Sequence, residues 1–194
     1  MIFRVVTAAA VLLFAFVCCT EAKSVPVHFN SCGYPNKTNI APNTYTCDPA
    51  AAIQIKKTSI LDQKSMKPIY PIDPAHPIII QLTAVNHGVA YTDNKANVKL
   101  YSYSSDWMTG ECKWSEIHTF GLLNNIDGCK MAHNCPLKPG NLVLKLPLDL
   151  SKYATIIDLL ASGTAYELRI EMHDYNQGSS HEVISCVVAQ VKFV

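Results

Sequence analysis

Seven histidines and eight cysteines are the side chains of this 194-residue chain best suited to bond-making chemistry. The histidines, His28, His76, His87, His118, His133, His173 and His181, include no His-Glu-x-x-His pair, and no Gly-x-Ser-x-Gly turn presents a nucleophilic serine. Such scattering implies solvated histidines in loops and on polar strand faces. Cys18 and Cys19 fall in an apolar leader, which leaves Cys32, Cys47, Cys112, Cys129, Cys135 and Cys186. No Cys-x-x-Cys spacing occurs among them, so structural zinc is a poor reading. An even number in a secreted chain implies three disulfides and no free thiol. Neither an enzyme, nor a metal, nor a cofactor is expected. The chemistry that remains is burial of hydrocarbon. Leu142, Leu144, Leu146, Leu148 and Leu150 alternate with Val143, Lys145, Pro147 and Asp149, so one face of a strand over 142–150 is uniformly aliphatic.

A face that apolar needs partners, and alternation supplies them. Residues 78–85 are rich in β-branched side chains, and over 98–103 Val98 and Leu100 alternate with Lys99 and Tyr101. Tyr166, Leu168, Ile170 and Met172 alternate with Glu167, Arg169, Glu171 and His173. A final strand over 183–193 follows a turn at 177–180 and makes a hairpin with the one before it. Alternation also begins at Ile53 and Ile55, and 113–120 reads as a weaker strand. Proline punctuates 68–77 as a loop or edge. Residues 87–97 are turn-like, and a turn at 122–128 leads into a small loop at 129–135. The helical candidate lies at 153–160. About seven strands with turn signals between them point to an all-β, immunoglobulin-like two-sheet sandwich stapled by disulfides.

Residues 1–22 carry Arg4, an apolar run over 5–17 and small residues near the end, the pattern of a cleaved secretory signal. The run is shorter than the roughly 20 residues of a membrane span. Residues 23–46, full of Pro, Asn, Thr and Ser, read as an irregular arm, and 47–194 as one domain. Asn36-Lys37-Thr38 is a glycosylation sequon. A net charge of +1 with 16% charged residues offers no basic field for phosphates, so nucleic acid is not an expected partner.

The segment Cys129-x5-Cys135-Pro136-Leu137-Lys138-Pro139-Gly140, the leucine strand after it, Leu159-Leu160-Ala161-Ser162-Gly163 and Tyr166-Glu167-Leu168 together resemble the ML lipid-recognition family, and most nearly its ganglioside-activator branch. More loosely, the resemblance extends from Cys47-Asp48-Pro49 to Cys186. It implies a two-sheet sandwich that holds a lipid between its sheets and presents or transfers it unchanged. It also implies bridges from Cys47 to Cys186 and from Cys129 to Cys135, with Cys32 and Cys112 as a third pair. Exchange of Cys32 and Cys47 is the alternative.

On this reading the cavity wall comprises Ile78, Ile80, Leu82, Val98, Leu100, Leu142, Leu144, Leu146, Leu148, Leu168, Ile170 and Met172. An ordinary filled core is the competing reading of the same residues. The resemblance places a mobile loop at the cavity mouth, where Ile156, Leu159 and Leu160 either cap the core at helical spacing or touch a membrane transiently. Trp107, Met108 and Trp114 form a second candidate rim. The expected ligand is a lipid with fatty acyl, sterol or glycolipid character. The expected setting is secretion, with the lysosome as the other destination. Two other functions compete. One is a lipid-dependent adaptor for a protein receptor, as in innate immunity. The other is a plain adhesive module, which the long Cys47 to Cys186 span disfavours.

Overall fold

The computed structural model describes residues 32–149, 160 and 163–194. The leader at 1–22 lies outside the described residues, as do Leu150, Ile156 and Leu159. Nine strands, one short α-helix and a 3-10 turn at Pro35–Lys37 are described: β1 Asn43–Thr46, β2 Ile53–Asp62, β3 Ile78–Asn86, β4 Asn94–Ser105, β5 Cys112–Ile117, β6 Ile126–Asp127, α1 Gly128–Ala132, β7 Gly140–Leu148, β8 Ala165–Asp174 and β9 Val183–Lys192. The larger sheet runs β1-β9-β8-β4-β5, with β6 also pairing β4, and the smaller runs β2-β3-β7. Every ladder is antiparallel. This connectivity is immunoglobulin-like, because β4, β8 and β9 correspond to a C-F-G sheet and β2, β3 and β7 face it.

Register explains how the leucine strand faces inward. In the β3–β7 ladder Ile78 lies opposite Leu148, Ile80 opposite Leu146, Leu82 opposite Leu144 and Ala84 opposite Leu142. In the larger sheet Leu100 pairs with Leu168 and Val98 with Ile170, and across the next ladder Leu168 meets Ala189 and Ile170 meets Val187. Since side chains alternate across a strand, these rows form the two facing apolar surfaces. β7 is the edge of its sheet, where Pro147 is tolerated, and exposed Lys145 blunts that edge against further pairing.

Four segments differ from their sequence expectation, the first being the turn read at 122–128, which ends in the short strand β6 paired with Lys95 and Ala96 of β4. The arm is not wholly irregular: Asn43–Thr46 pairs with β9, because the side-chain amides of Asn36 and Asn43 both donate to Gln190 Oε1, at 2.6 and 2.8 Å, and tie the arm across the sheet. The turn-like stretch is shorter than read, since β4 starts at Asn94, whose side chain is engaged inside the fold. The small loop at 129–135 begins as a helix. Asp127 caps it by accepting from the Lys130 N–H at 2.9 Å, and His133 ends it in the left-handed conformation. Gly128 is required there, for a Cβ would sit 2.0 Å from Asn94 Oδ1.

Disulfides join Cys32 to Cys112, Cys47 to Cys186 and Cys129 to Cys135, which are the pairings that the family resemblance implies. The interior divides into two clusters. One gathers Ile60, Ile72, Ile78, Leu100, Tyr166, Val191 and Phe193, with the Tyr166 and Phe193 rings tilted at 5.3 Å. The other gathers Ile53, Leu82, Ala84, Tyr91, Leu137, Leu144 and Ile184. Ile80 touches both.

Candidate functional site

An apolar cavity of about 70 Å³ lies between the sheets, where the two clusters meet. The smaller sheet contributes Thr58 and Ile60 from β2, Ile78, Ile80 and Leu82 from β3, and Leu146 and Leu148 from β7. The larger sheet contributes Thr44 from β1, Leu168 and Ile170 from β8, and Val187, Ala189 and Val191 from β9, with Ile72 and Phe193 completing the wall. Among the described residues no lining side chain is charged, and the polar side-chain groups on the wall are the hydroxyls of Thr44 and Thr58. Thr58 Oγ1 is shut away from solvent without a hydrogen-bond partner.

Seven of the side chains expected on the wall are there: Ile78, Ile80, Leu82, Leu146, Leu148, Leu168 and Ile170. Five others lie elsewhere, for a lateral reason. On the larger sheet the cavity is walled by β1, β8 and β9, so β4 stands beyond it. Leu100 is therefore packed into the first cluster at 3% exposure, and Val98 lines a shallow groove under the 118–121 turn with Ile117 and Phe120. Leu142 and Met172 pack on the second cluster, past the Thr58–Leu82–Leu144 row where the cavity stops, and Leu144, within that row, is buried in the same cluster. Leu160 packs against the first cluster and does not line the cavity.

Several lining residues escaped sequence reading. Val187, Ala189, Val191 and Phe193 share one parity, but β9 is buried on both faces, with Val188 at 0% and Gln190 at 3% exposure, so its alternation is blurred. The cause is the arm, whose Asn36 and Asn43 cover Gln190, while Gln190 Nε2 donates to Glu167 Oε2 at 2.8 Å. Asn36 remains an exposed residue, although its amide nitrogen is committed to Gln190. Ile72 comes from the proline-rich connection and bridges to Phe193.

The cavity end near Phe193 is braced by Tyr70, whose hydroxyl accepts from the Lys192 N–H at 2.9 Å and donates to the Thr38 carbonyl. Burial raises the Tyr70 pKa, so this phenol stays a donor through the physiological range. The second candidate rim is split: Trp107 and Met108 are 78% and 73% exposed at the β4–β5 turn, whereas Trp114 packs tilted against Tyr103, with ring centroids 5.0 Å apart. None of the three lines the cavity. Asp93, Asp127 and Cys129 bring ligand-type atoms within 4.8 Å of one another, but the Cys129 sulfur is spent in its disulfide and Asp127 caps α1. Among the described histidines, all but His173 are exposed. His173 Nδ1 meets the His181 carbonyl oxygen at 3.0 Å, a local strand-end contact.

No protein-family model matches the chain. No curated protein matches it. Solved structures do. A Niemann-Pick type C2 protein from Japanese carpenter ant is 15% identical, with a TM-score of 0.48, and the match covers 78% of this chain and 99% of that one. The C-terminal domain of wzt is 10% identical, with a TM-score of 0.39 and coverage of 80% and 79%. Likenesses this distant do not speak to function, and the reading that follows rests on the site.

Proposed function

We propose that this chain is a secreted, non-enzymatic lipid-binding protein of the ML type, nearest the ganglioside-activator branch, which encloses lipid tails between its sheets to carry, transfer or present them. The observation that carries this reading is a wall of hydrocarbon without charge, placed between two sheets and not on the surface. Each methylene moved from water into such a wall contributes roughly 0.8 kcal/mol before ordering costs. No catalytic group is needed.

At about 70 Å³ the cavity is well below the roughly 300–1,000 Å³ of a typical ligand pocket. Uptake of an acyl chain therefore requires the sheets to part or the lining Leu and Ile side chains to change rotamer. The construction suits that movement. The smaller sheet has three strands, and hydrocarbon contacts across the gap are non-directional, so they re-form at a new separation. Entry from a membrane surface, delivery to a lysosome and a glycan on Asn36 belong to the same proposal.

The test is native mass spectrometry of protein secreted from eukaryotic cells, followed by solvent extraction. A co-purifying lipid is expected. A clean apo mass, with no uptake of fatty acids, sterols or glycolipids, would replace this reading with a filled core and a protein partner.

A further inference from the structure

Among the described residues, Thr58 is the one buried hydroxyl on the cavity wall without a hydrogen-bond partner. It sits on β2 opposite Leu82, in the last row that still faces the cavity. A hydroxyl closed off from water and left unpaired is a standing cost, which evolution commonly removes by Val, its near-isostere. The other hydroxyl on the wall, Thr44, lies on the facing sheet and is not orphaned in this way. The remaining wall is hydrocarbon. Among the described residues no lysine, arginine or histidine lines the cavity to pair with an ionised head group, and an unpaired buried charge is far costlier than an unpaired hydroxyl.

The geometry points to Thr58 as the specificity-determining residue of the cavity: the part of the ligand that the sheets enclose is uncharged and carries one hydroxyl or carbonyl oxygen, which hydrogen-bonds Thr58 Oγ1. This inference rests on the lipid-binding reading above and narrows its ligand class. Rotation about χ1 carries Oγ1 among three staggered positions, so the hydroxyl turns toward the cavity centre when a polar partner arrives. A purely hydrocarbon segment would leave Oγ1 unpaired, and a carboxylate would have to stay outside the wall.

The experiment compares dodecan-1-ol with dodecane as competitors for diphenylhexatriene, a neutral hydrocarbon fluorophore, in wild type, Thr58→Val, Thr58→Ser and Thr44→Val. Thr58→Val is expected to weaken dodecan-1-ol by about 5- to 30-fold and to leave dodecane unchanged, because it removes one buried hydrogen bond. Thr58→Ser is expected to restore the alcohol, and Thr44→Val to leave both unchanged. Thermal melting of the apo forms adds a readout that does not need a ligand. Thr58→Val should melt at or above the wild-type temperature, since it removes an unpaired group. An equal loss of alcohol and alkane in Thr58→Val, a selective loss in Thr44→Val instead, or a lower apo melting temperature for Thr58→Val would each overturn the assignment. Failure of every form, wild type included, to take up diphenylhexatriene or either competitor would overturn the lipid-binding reading itself.

Discussion

The two ends of the sandwich interior draw on the same leucine strand and are closed by different means. At Leu142 and Leu144 the interior is sealed by a network of buried polar side chains and backbone bonds, within which Asn94 Oδ1 alone is left without a partner. Asn86, 2% exposed, donates to the carbonyls of Val89 and Leu137 at 2.7 and 2.9 Å and accepts from the Gly88 N–H at 2.8 Å. Tyr91 and Leu137 exchange a pair of backbone bonds, and Asn94 reaches both sulfurs of the Cys129–Cys135 bridge at 3.2 Å. At Leu146 and Leu148, by contrast, hydrocarbon faces a void and no side-chain hydrogen bond crosses the described wall, Thr58 Oγ1 being unpaired. Directional bonds have one good geometry, while dispersion contacts tolerate many. The first end therefore sets the spacing of the sheets and the second can change it.

The comparison can be broken most forcefully at the long covalent tie. Replacing Cys47 and Cys186 by Ser should cost about 4 to 5 kcal/mol on the chain-entropy account, read as a lower midpoint of denaturant unfolding. A shift below about 1 kcal/mol would show that the hydrogen-bonded end holds the sheets without it.

Next in size, Leu144→Ala should cost about 4 kcal/mol and Leu146→Ala about 2, since Leu144 is 3% exposed in a filled cluster whereas Leu146 already borders a void. Lipid uptake should survive the first change and respond to the second. The reverse pattern would mean that the two ends have been assigned the wrong way round.

A smaller change sharpens the contrast. Ala189→Leu adds three carbon atoms to the wall opposite the leucine strand and fills much of the void. It should stabilise by about 1 kcal/mol while abolishing lipid uptake. Loss of both stability and uptake would show that the void is already closed to added carbon.

The smallest effect is local. Lys113 holds the Asp106 carboxylate by a charged hydrogen bond, helped by the N–H groups of Thr109 and Met108, and lowers its pKa from 3.8 to about 2. A depressed carboxylate supports the fold above its unfolded value and loses that support as pH falls through its folded value. Amide protection factors at the β4–β5 turn, corrected for the intrinsic pH dependence of exchange, should thus be flat above about pH 4 and fall toward pH 2, with Asp106→Asn removing that fall. The cavity end should not respond.

Much of this architecture is legible in the sequence. Alternation at Leu142 through Leu148, at Ile78 through Leu82 and at Tyr166 through Met172 assigns each side chain to a face, because a strand has a fixed period of two. It does not assign a column. Val98 and Leu100 share the inward face with Leu168 and Ile170, yet only the latter pair reaches the cavity. The β1 strand was hidden for a related reason: four residues, Asn43–Thr46, pair at an edge through polar side chains and show no apolar period.

The sequence alone therefore determined that this chain is a disulfide-stapled β-sandwich with facing aliphatic rows, since strand period, turn chemistry and cysteine number are local or countable. Tertiary structure decided which rows stay apart and which close. That depends on lateral offset between sheets, on where Asn86 and Asn94 find partners, and on an arm that buries the back of β9. Thr58 marks the difference most sharply: in the sequence it is one threonine among polar neighbours, and only the packing of two sheets leaves its hydroxyl unpaired beside a void.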